Sequence, residues 1–379
     1  MKNFYALLAA SLLATAAHAG NPYITHVYEY RPAPGQFVNI YPAYTAGDSE
    51  ADMCRKALEL IGDNRGGTVT LGAYGGYITF GFDRPVTNVA GEADLRILGN
   101  SFVSDQALRP DGGSSEPGIV MVSRDINGNG LPDDPWYEIR GTATGTVSPY
   151  TVTYTRPAAD HTPTVSDPSG AYSDDRYIAW SASDGTSGYM PQLVLYPQPY
   201  YPQWIEDGNL TLGGTRLPDN AVEEQHGRFK EWVTYPVGTG YADCWPNDDE
   251  RSAIDLSLAV DEQGNPANLP EVDFVRVYTG VHQQQGALGE VSTEICGAVD
   301  LHTLAGVGTE AAAAASGAFF IRDHLHLTGA DSRPGVTVYT LSGTVVLNID
   351  TCDGDIYLPV PAGMYIVSIQ GKTCKVFKR

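Results

Sequence analysis

Cysteine is sparse: Cys54, Cys244, Cys296, Cys352 and Cys374 are the five in 379 residues. The number is odd and too small to staple a chain of this length, which excludes a disulfide scaffold. Cys352 and Cys374 share a short terminal region and read either as a pair or as two small core residues; the others have no partner assignable from sequence. Basic residues are scarce as well, with 23 Lys plus Arg against 45 Asp plus Glu. So acidic a surface repels a phosphate backbone and attracts cations, which excludes nucleic acid as a natural partner. Beyond residues 1–19 no run of about eighteen apolar residues occurs, so no transmembrane helix is expected. Also missing are a GxSxG elbow, an HExxH helix, a CxxC pair and a glycine-rich phosphate loop, so no catalytic motif stands out. The eight histidines are dispersed, and His324 and His326 share a strand face with no third metal ligand near them in sequence.

What is present begins with Lys2, an apolar run over residues 6–17 and the small-x-small step Ala17-His18-Ala19, together a signal peptide over residues 1–19. Cleavage removes one basic residue, Lys2, and no acidic one, leaving 22 against 45 and a formal charge of -23. No Cys follows the run, so a lipid anchor is not expected. Abundant Gly, Pro and Tyr (42, 25 and 23) point to strands joined by irregular loops.

One stretch reads as helix, residues 49–61, with Glu50 and Asp52 in its first turn and an apolar stripe of Met53, Ala57, Leu58 and Ile61. Strand patterns follow at 24–30, 68–71, 77–82, 93–98, 118–123, 136–141, 150–155, 193–196, 229–235, 253–258 and 273–279. Residues 157–220, rich in Tyr and Pro, read as a long insertion or loop excursion between core strands. The five alanines within 306–317 suit a short helix or a linker. Alternating patterns over 335–341, 344–349, 355–360, 363–369 and 372–377 read as a compact antiparallel module. The division expected is a signal peptide (1–19), a calcium-binding domain (20–305), a linker (306–330) and a terminal β-domain (331–379).

The run DINGNGLPDD, residues 125–134, carries the sharpest chemical pattern. Asp125, Asn127, Asn129 and Asp133 place oxygen-bearing side chains around Gly130, as a loop does when it wraps a hard cation such as Ca2+. The Leu131 carbonyl is the mid-loop ligand. Trp136 stands where an EF-hand has its bidentate Glu, which leaves Asp134 or Glu138 to complete the set. Asn-Gly steps also make ion-free hairpin turns; the surplus of acceptors favours calcium, in the role of fixing the hairpin. A second acidic group, Asp243, Asn247, Asp248, Asp249 and Glu250, reads first as a solvated turn and second as a further calcium site. Tyr189, Tyr196, Tyr200, Tyr201 and Trp204 suit either a platform for a sugar or flat ligand or, preferred here, packing of a Pro-rich loop.

The strings TLGAYGGYITFGFDRPVTNVAG from Thr70, SSEPGIVMVSRD from Ser114, WYEIRG from Trp136, VDFVRVYTGV from Val272 and LGEVSTEICGAVDL from Leu288 occur in an order that resembles a bacterial secreted jelly-roll family of Bacteroidetes cell-surface proteins. The loop at 125–134 resembles thrombospondin type 3 calcium repeats. The ending, VTVYTLSGTVV and DIYLPVPAGMYIVSIQGKTCKVFKR, resembles the C-terminal sorting domain of the type IX secretion system. The resemblance implies an all-β jelly-roll β-sandwich with long loop insertions, followed by a small antiparallel β-sandwich-like C-terminal module. It also implies a location outside the cell or on its outer face, with the secretion machinery as a partner. The function expected is non-catalytic binding of a glycan, a nutrient or a surface protein. A polysaccharide-acting hydrolase with paired carboxylates and a structural envelope protein are the alternatives. Asp125→Asn with Asp133→Asn is expected to remove the thermal stabilisation that calcium gives through this loop, about 2.7 kcal/mol at a hundredfold excess over Kd. An unchanged melting response to calcium would contradict it.

Overall fold

The computed structural model describes residues 20–166, 170–304, 317–321, 324–328, 335–340, 345–350, 355–361, 363–369 and 372–378. The signal segment, most of the alanine-rich stretch and Cys352 lie outside them. The chain forms two compact units, Met1–Leu304 and Ala305–Arg379, and is an all-β protein built of several antiparallel sheets.

The largest sheet has seven strands. Its main path runs His26–Arg31, Tyr77–Thr87, Glu271–Thr279, Gly118–Ser123, Trp136–Ile139, Ala259–Val260, and Tyr241–Ala242 pairs with Gly118–Ser123 off this path. β-branched and aromatic residues at every second position put whole cross-strand rows on one face. Ile78, Val277 and Val120 make one row, Phe80, Val275 and Val122 the next, and all six are fully buried. Each such side chain contributes about 1.5–3 kcal/mol by leaving water. The opposite face is covered too, because Ile119 and Tyr278 belong to a second cluster with Leu217, Tyr241, Cys244, Trp245 and Val291.

A four-stranded sheet, Ser187–Leu193, Tyr172–Ala182, Val147–Thr155 and Asn209–Arg216, shares the first core through Tyr150, Val152, Tyr154, Ile178, Met190, Leu210 and Leu212. This corrects the reading of residues 157–220 as a loop excursion: three of the four strands lie there. Apart from Pro191, which sits inside Ser187–Leu193, the prolines among the described residues there lie between the strands, and the run expected as a strand at 193–196 begins where Ser187–Leu193 ends. The two sheets give a sandwich-like arrangement.

The helix, Glu50–Ile61, starts where its chemistry dictates. Ser49 caps the Asp52 amide while the Asp52 carboxylate accepts from the Ser49 amide, and Met53, Cys54, Ala57 and Ile61 are buried. Among the described residues no helix is long and apolar enough to cross a membrane. In the second unit a four-stranded sheet (Val345–Ile349, Val336–Thr340, Gly363–Ile369, Lys372–Lys378) and a three-stranded one (Gly317–Ile321, His324–Thr328, Asp355–Tyr357) share a core of Leu325, Val336, Val338, Ile356, Leu358, Tyr365 and Val367. Residues 317–328, assigned from sequence to the linker, thus form a hairpin that pairs with Asp355–Tyr357. With separate cores, a chain ending at Leu304 should unfold cooperatively with a denaturant midpoint near that of the full-length first unit. A broad, non-cooperative transition in the shortened chain would refute this.

Candidate functional site

Four segments converge at one end of the large sheet. Glu116 lies two residues before the start of Gly118–Ser123, Asp243 follows Tyr241–Ala242, Glu294 opens the short strand Glu294–Ile295, and Thr70 is its cross-strand partner. Backbone bonds lace them together: the Glu116 amide donates to the Asp243 carbonyl at 3.0 Å, and Thr293 Oγ1 donates to the Glu116 carbonyl at 2.8 Å. The extended stretch 290–294 turns alternate side chains the same way, so Glu290, Ser292 and Glu294 all line one cavity of about 590 Å³. Gln36, Phe37, Tyr41, Thr70, Asn100, Glu116 and Gln285 complete much of its wall, and among the described residues no Lys, Arg or His lines it.

Carboxylate oxygens of Glu116, Asp243 and Glu294 lie within 4.8 Å of one another, the one such group of three or more His, Cys, Asp or Glu ligands among the described residues. Asp243 is 3% exposed. Its Oδ1 accepts from the Asn100 and Ser101 amides, both at 2.9 Å, and its Oδ2 from the Glu294 amide at 3.0 Å. Gly99 lets the carboxylate approach this closely, since a Cβ there would lie 2.1 Å from Asp243 Oδ1. Glu294 receives Thr70 Oγ1 at 3.0 Å and Asn100 Nδ2 at 3.3 Å. Gln285 Nε2 and the Ser292 amide both donate to Glu116 Oε1 at 3.1 Å.

These groups hold protons unusually well. Burial, then Glu294 and Asp243, push Glu116 well above the usual carboxylate range, and Glu116 and Glu294 hydrogen-bond each other. Burial, then Glu294, push Asp243 up against the pull of its three backbone donors. Glu294 is raised by burial against several donors. Glu290, 3% exposed, is pushed up to about 8, first by burial and then by Glu294. Three carboxylates this close cannot all ionise without a positive partner. None has an ion pair among the described residues, so the cluster either keeps protons or holds a cation. Oxygens on opposite sides of one calcium ion lie about 4.6–5.2 Å apart, so the spacing fits a shared divalent ion, and the all-oxygen donors suit a hard one.

The residues expected from sequence fall in different places. In the loop, Asp125 Oδ1 accepts from the Gly128 and Asn129 amides at 2.7 and 3.1 Å, and its Oδ2 from Gly130 at 2.8 Å. The Asn127 and Asn129 amides both donate to Asp133 at 3.0 Å and lower its pKa. The Asn129 and Asn127 carbonyl oxygens accept from the Leu131 and Asn129 amides, and Asp134 accepts from Ile126. Leu131 is exposed. Glu138 stands apart on its strand, accepting from Thr215 Oγ1 at 2.7 Å.

Of the second acidic group, only Asp243 enters the cluster. Asn247 pins Gly99 through both its amide and carbonyl, Asp249 caps a short turn and pairs with Arg251, and Asp248 and Glu250 are exposed. Tyr200, Tyr201 and Trp204 are buried in the core. Tyr196 packs edge-on against Phe37, a cavity residue, and half-exposed Tyr189 borders a separate, smaller cavity. His324 is exposed near Tyr357; the His326 side chain lies outside the described residues.

Glu116, Glu290 and Glu294 were not singled out from sequence, although the alternation in EVSTE from Glu290 carries the signal. No protein-family model matches the chain, and no curated protein matches it.

The pH behaviour follows from the raised groups. Folded Glu290 keeps a proton that the unfolded chain releases near 4.5, so its contribution to stability is full below about 4.5 and is lost as pH rises through about 8. Metal-free protein should therefore melt lower at pH 8.5 than at pH 5, and Glu290→Gln, which stays neutral, should raise the melting temperature at the higher pH by about 2–4 °C. Equal pH slopes for variant and parent would remove Glu290 from this account.

Proposed function

We propose that this chain is an exported, non-catalytic ligand-binding protein of jelly-roll type whose carboxylate-lined cavity holds a divalent cation, calcium by choice of ligands. The observation that carries it is the Glu116, Asp243 and Glu294 triad, spaced as one ion's shell, two of whose members, Glu116 and Glu294, line a cavity with no basic side chain among its described residues. Seven- and four-stranded sheets sharing a core support the jelly-roll reading, as do the ordered motifs described above. The apolar run at residues 6–17 and the terminal motifs support export to the outer cell surface with the type IX machinery as partner. The loop at 125–134 serves as a second, exposed calcium site, in which Asp125 and Asp133 are already drawn in by loop donors.

The hydrolase reading has one observation in its favour: Glu290, protonated to about 8, shares its cavity with two further carboxyls, Glu116 and Glu294. Against it, carboxylate oxygens of Glu116 and Glu294 lie within 4.8 Å of each other, short of the about 5–5.5 Å or more between carboxyl groups that flank a scissile bond.

Calcium titration by calorimetry should resolve two classes of site. Glu116→Gln with Glu294→Gln should remove one class, and Asp125→Asn with Asp133→Asn the other. Calcium binding insensitive to the Glu116 and Glu294 substitutions in a folded protein would sink the cavity assignment.

A further inference from the structure

The cavity is larger than an ion needs. A calcium ion with six to eight waters of about 30 Å³ each fills about 200 Å³, against about 590 Å³ available. Three side chains also leave part of a six- to eight-oxygen shell open toward the remaining space.

That space carries its own unanswered polar groups. Gln36 and Glu290 line it, are 8% and 3% exposed, and touch each other through the Gln36 amide, which donates to Glu290 Oε1 at 2.8 Å. Gln36 Nε2 is used by the Leu288 carbonyl at 2.8 Å. Gln36 Oε1 and Glu290 Oε2, however, are buried without any hydrogen-bond partner. Leaving such groups unmet costs about 1–3 kcal/mol each, and one amide acceptor beside one carboxyl is what a hydroxyl, both donor and acceptor, satisfies. An anionic ligand is disfavoured by the carboxylates around it. Phe37, Tyr41, Leu60 and Leu288 add apolar wall suited to the C–H face of a ring.

Resting on the cation reading above, we propose that the cavity binds a polyhydroxylated ligand, a sugar or related polyol, with hydroxyls on the cation held by Glu116, Asp243 and Glu294 and a further hydroxyl on Gln36 and Glu290. The ion thereby becomes part of the recognition surface and not only a fold-stabilising element.

The test uses the full chain and saturation-transfer NMR with methyl glycosides of glucose, galactose, mannose, fucose and N-acetylglucosamine, each with calcium or with EDTA. At least one glycoside should bind saturably with calcium and weaken roughly tenfold or more in EDTA. Gln36→Ala should weaken that glycoside roughly tenfold, with calcium affinity and melting temperature held as controls. If the variant misfolds, the calcium dependence in the parent protein still decides. Calcium bound at the cavity with no glycoside binding would overturn this inference and leave the cation reading standing. No calcium at the cavity would overturn both. Spermidine binding that calcium competes away, with no glycoside bound, would also overturn it in favour of an organic cation.

Discussion

Repulsion among buried carboxyl groups is the constraint around which this end of the molecule is organised. Glu116, Asp243 and Glu294 crowd within 4.8 Å, Glu290 lines one cavity with Glu116 and Glu294, and among the described residues no basic side chain lines it. In a medium of low dielectric constant such a group cannot carry its full charge alone. The chain answers with fixed backbone donors. Asn100, Ser101 and the Glu294 amide hold Asp243, the Gln36 amide holds Glu290, and the Ser292 amide holds Glu116. Those same bonds tie segments distant in sequence to the rim of the large sheet, so the electrostatics and the local fold are one problem.

The loop at 125–134 uses the same chemistry under opposite conditions. Its acids are exposed or half-buried, where nearby charges cost less, and its Asn amides draw Asp133 down. At Asp133, therefore, protons do not compete with a cation near neutral pH. In the cavity, burial raises every carboxyl of the cluster, so a cation must displace protons to enter and its affinity must rise with pH. One ion species would thus meet two sites that differ in pH response although both are built from oxygen alone.

How far the sequence disclosed this can be argued residue by residue. The helix was legible because capping and apolar stripe agree at Ser49, Asp52, Met53, Ala57 and Ile61. The longer strands of the large sheet were legible because the rows through Ile78, Phe80, Val120, Val122, Val275 and Val277 are uniformly apolar, whereas the two-residue strands Tyr241–Ala242 and Ala259–Val260 are too short to carry a period and were missed. The second sheet was legible only at Val147–Thr155, where the alternation of Tyr150, Val152 and Tyr154 marks the strand expected at 150–155; its other strands carry polar residues such as Asp174 and Arg216, and the Tyr and Pro content between them hides their pattern. At the site, Asp243 stood out only as part of an acidic turn. Its true neighbours Glu116 and Glu294 are 127 and 51 residues away in sequence, and no local pattern records a contact made by folding. Glu290, Ser292 and Glu294 did carry a period of two, but a strand with polar residues on one face reads as solvent-facing until a cavity is known to lie there.

That ambiguity bears on why the carboxyls are retained. Around them Thr70, Val291, Thr293 and Ile295 are buried almost completely, and a site so enclosed would be at least as stable with apolar side chains of similar volume. Buried acids that repel, together with Gln36 and Glu290 atoms left without partners among the described residues, make the isolated cavity a local deficit. A deficit of this kind is removed when something positive and hydrogen-bonding enters, and it is larger the better the surrounding donors hold the acids in place. The rigidity that three backbone amides impose on Asp243 is therefore better explained as preparation of a site than as stabilisation of a fold.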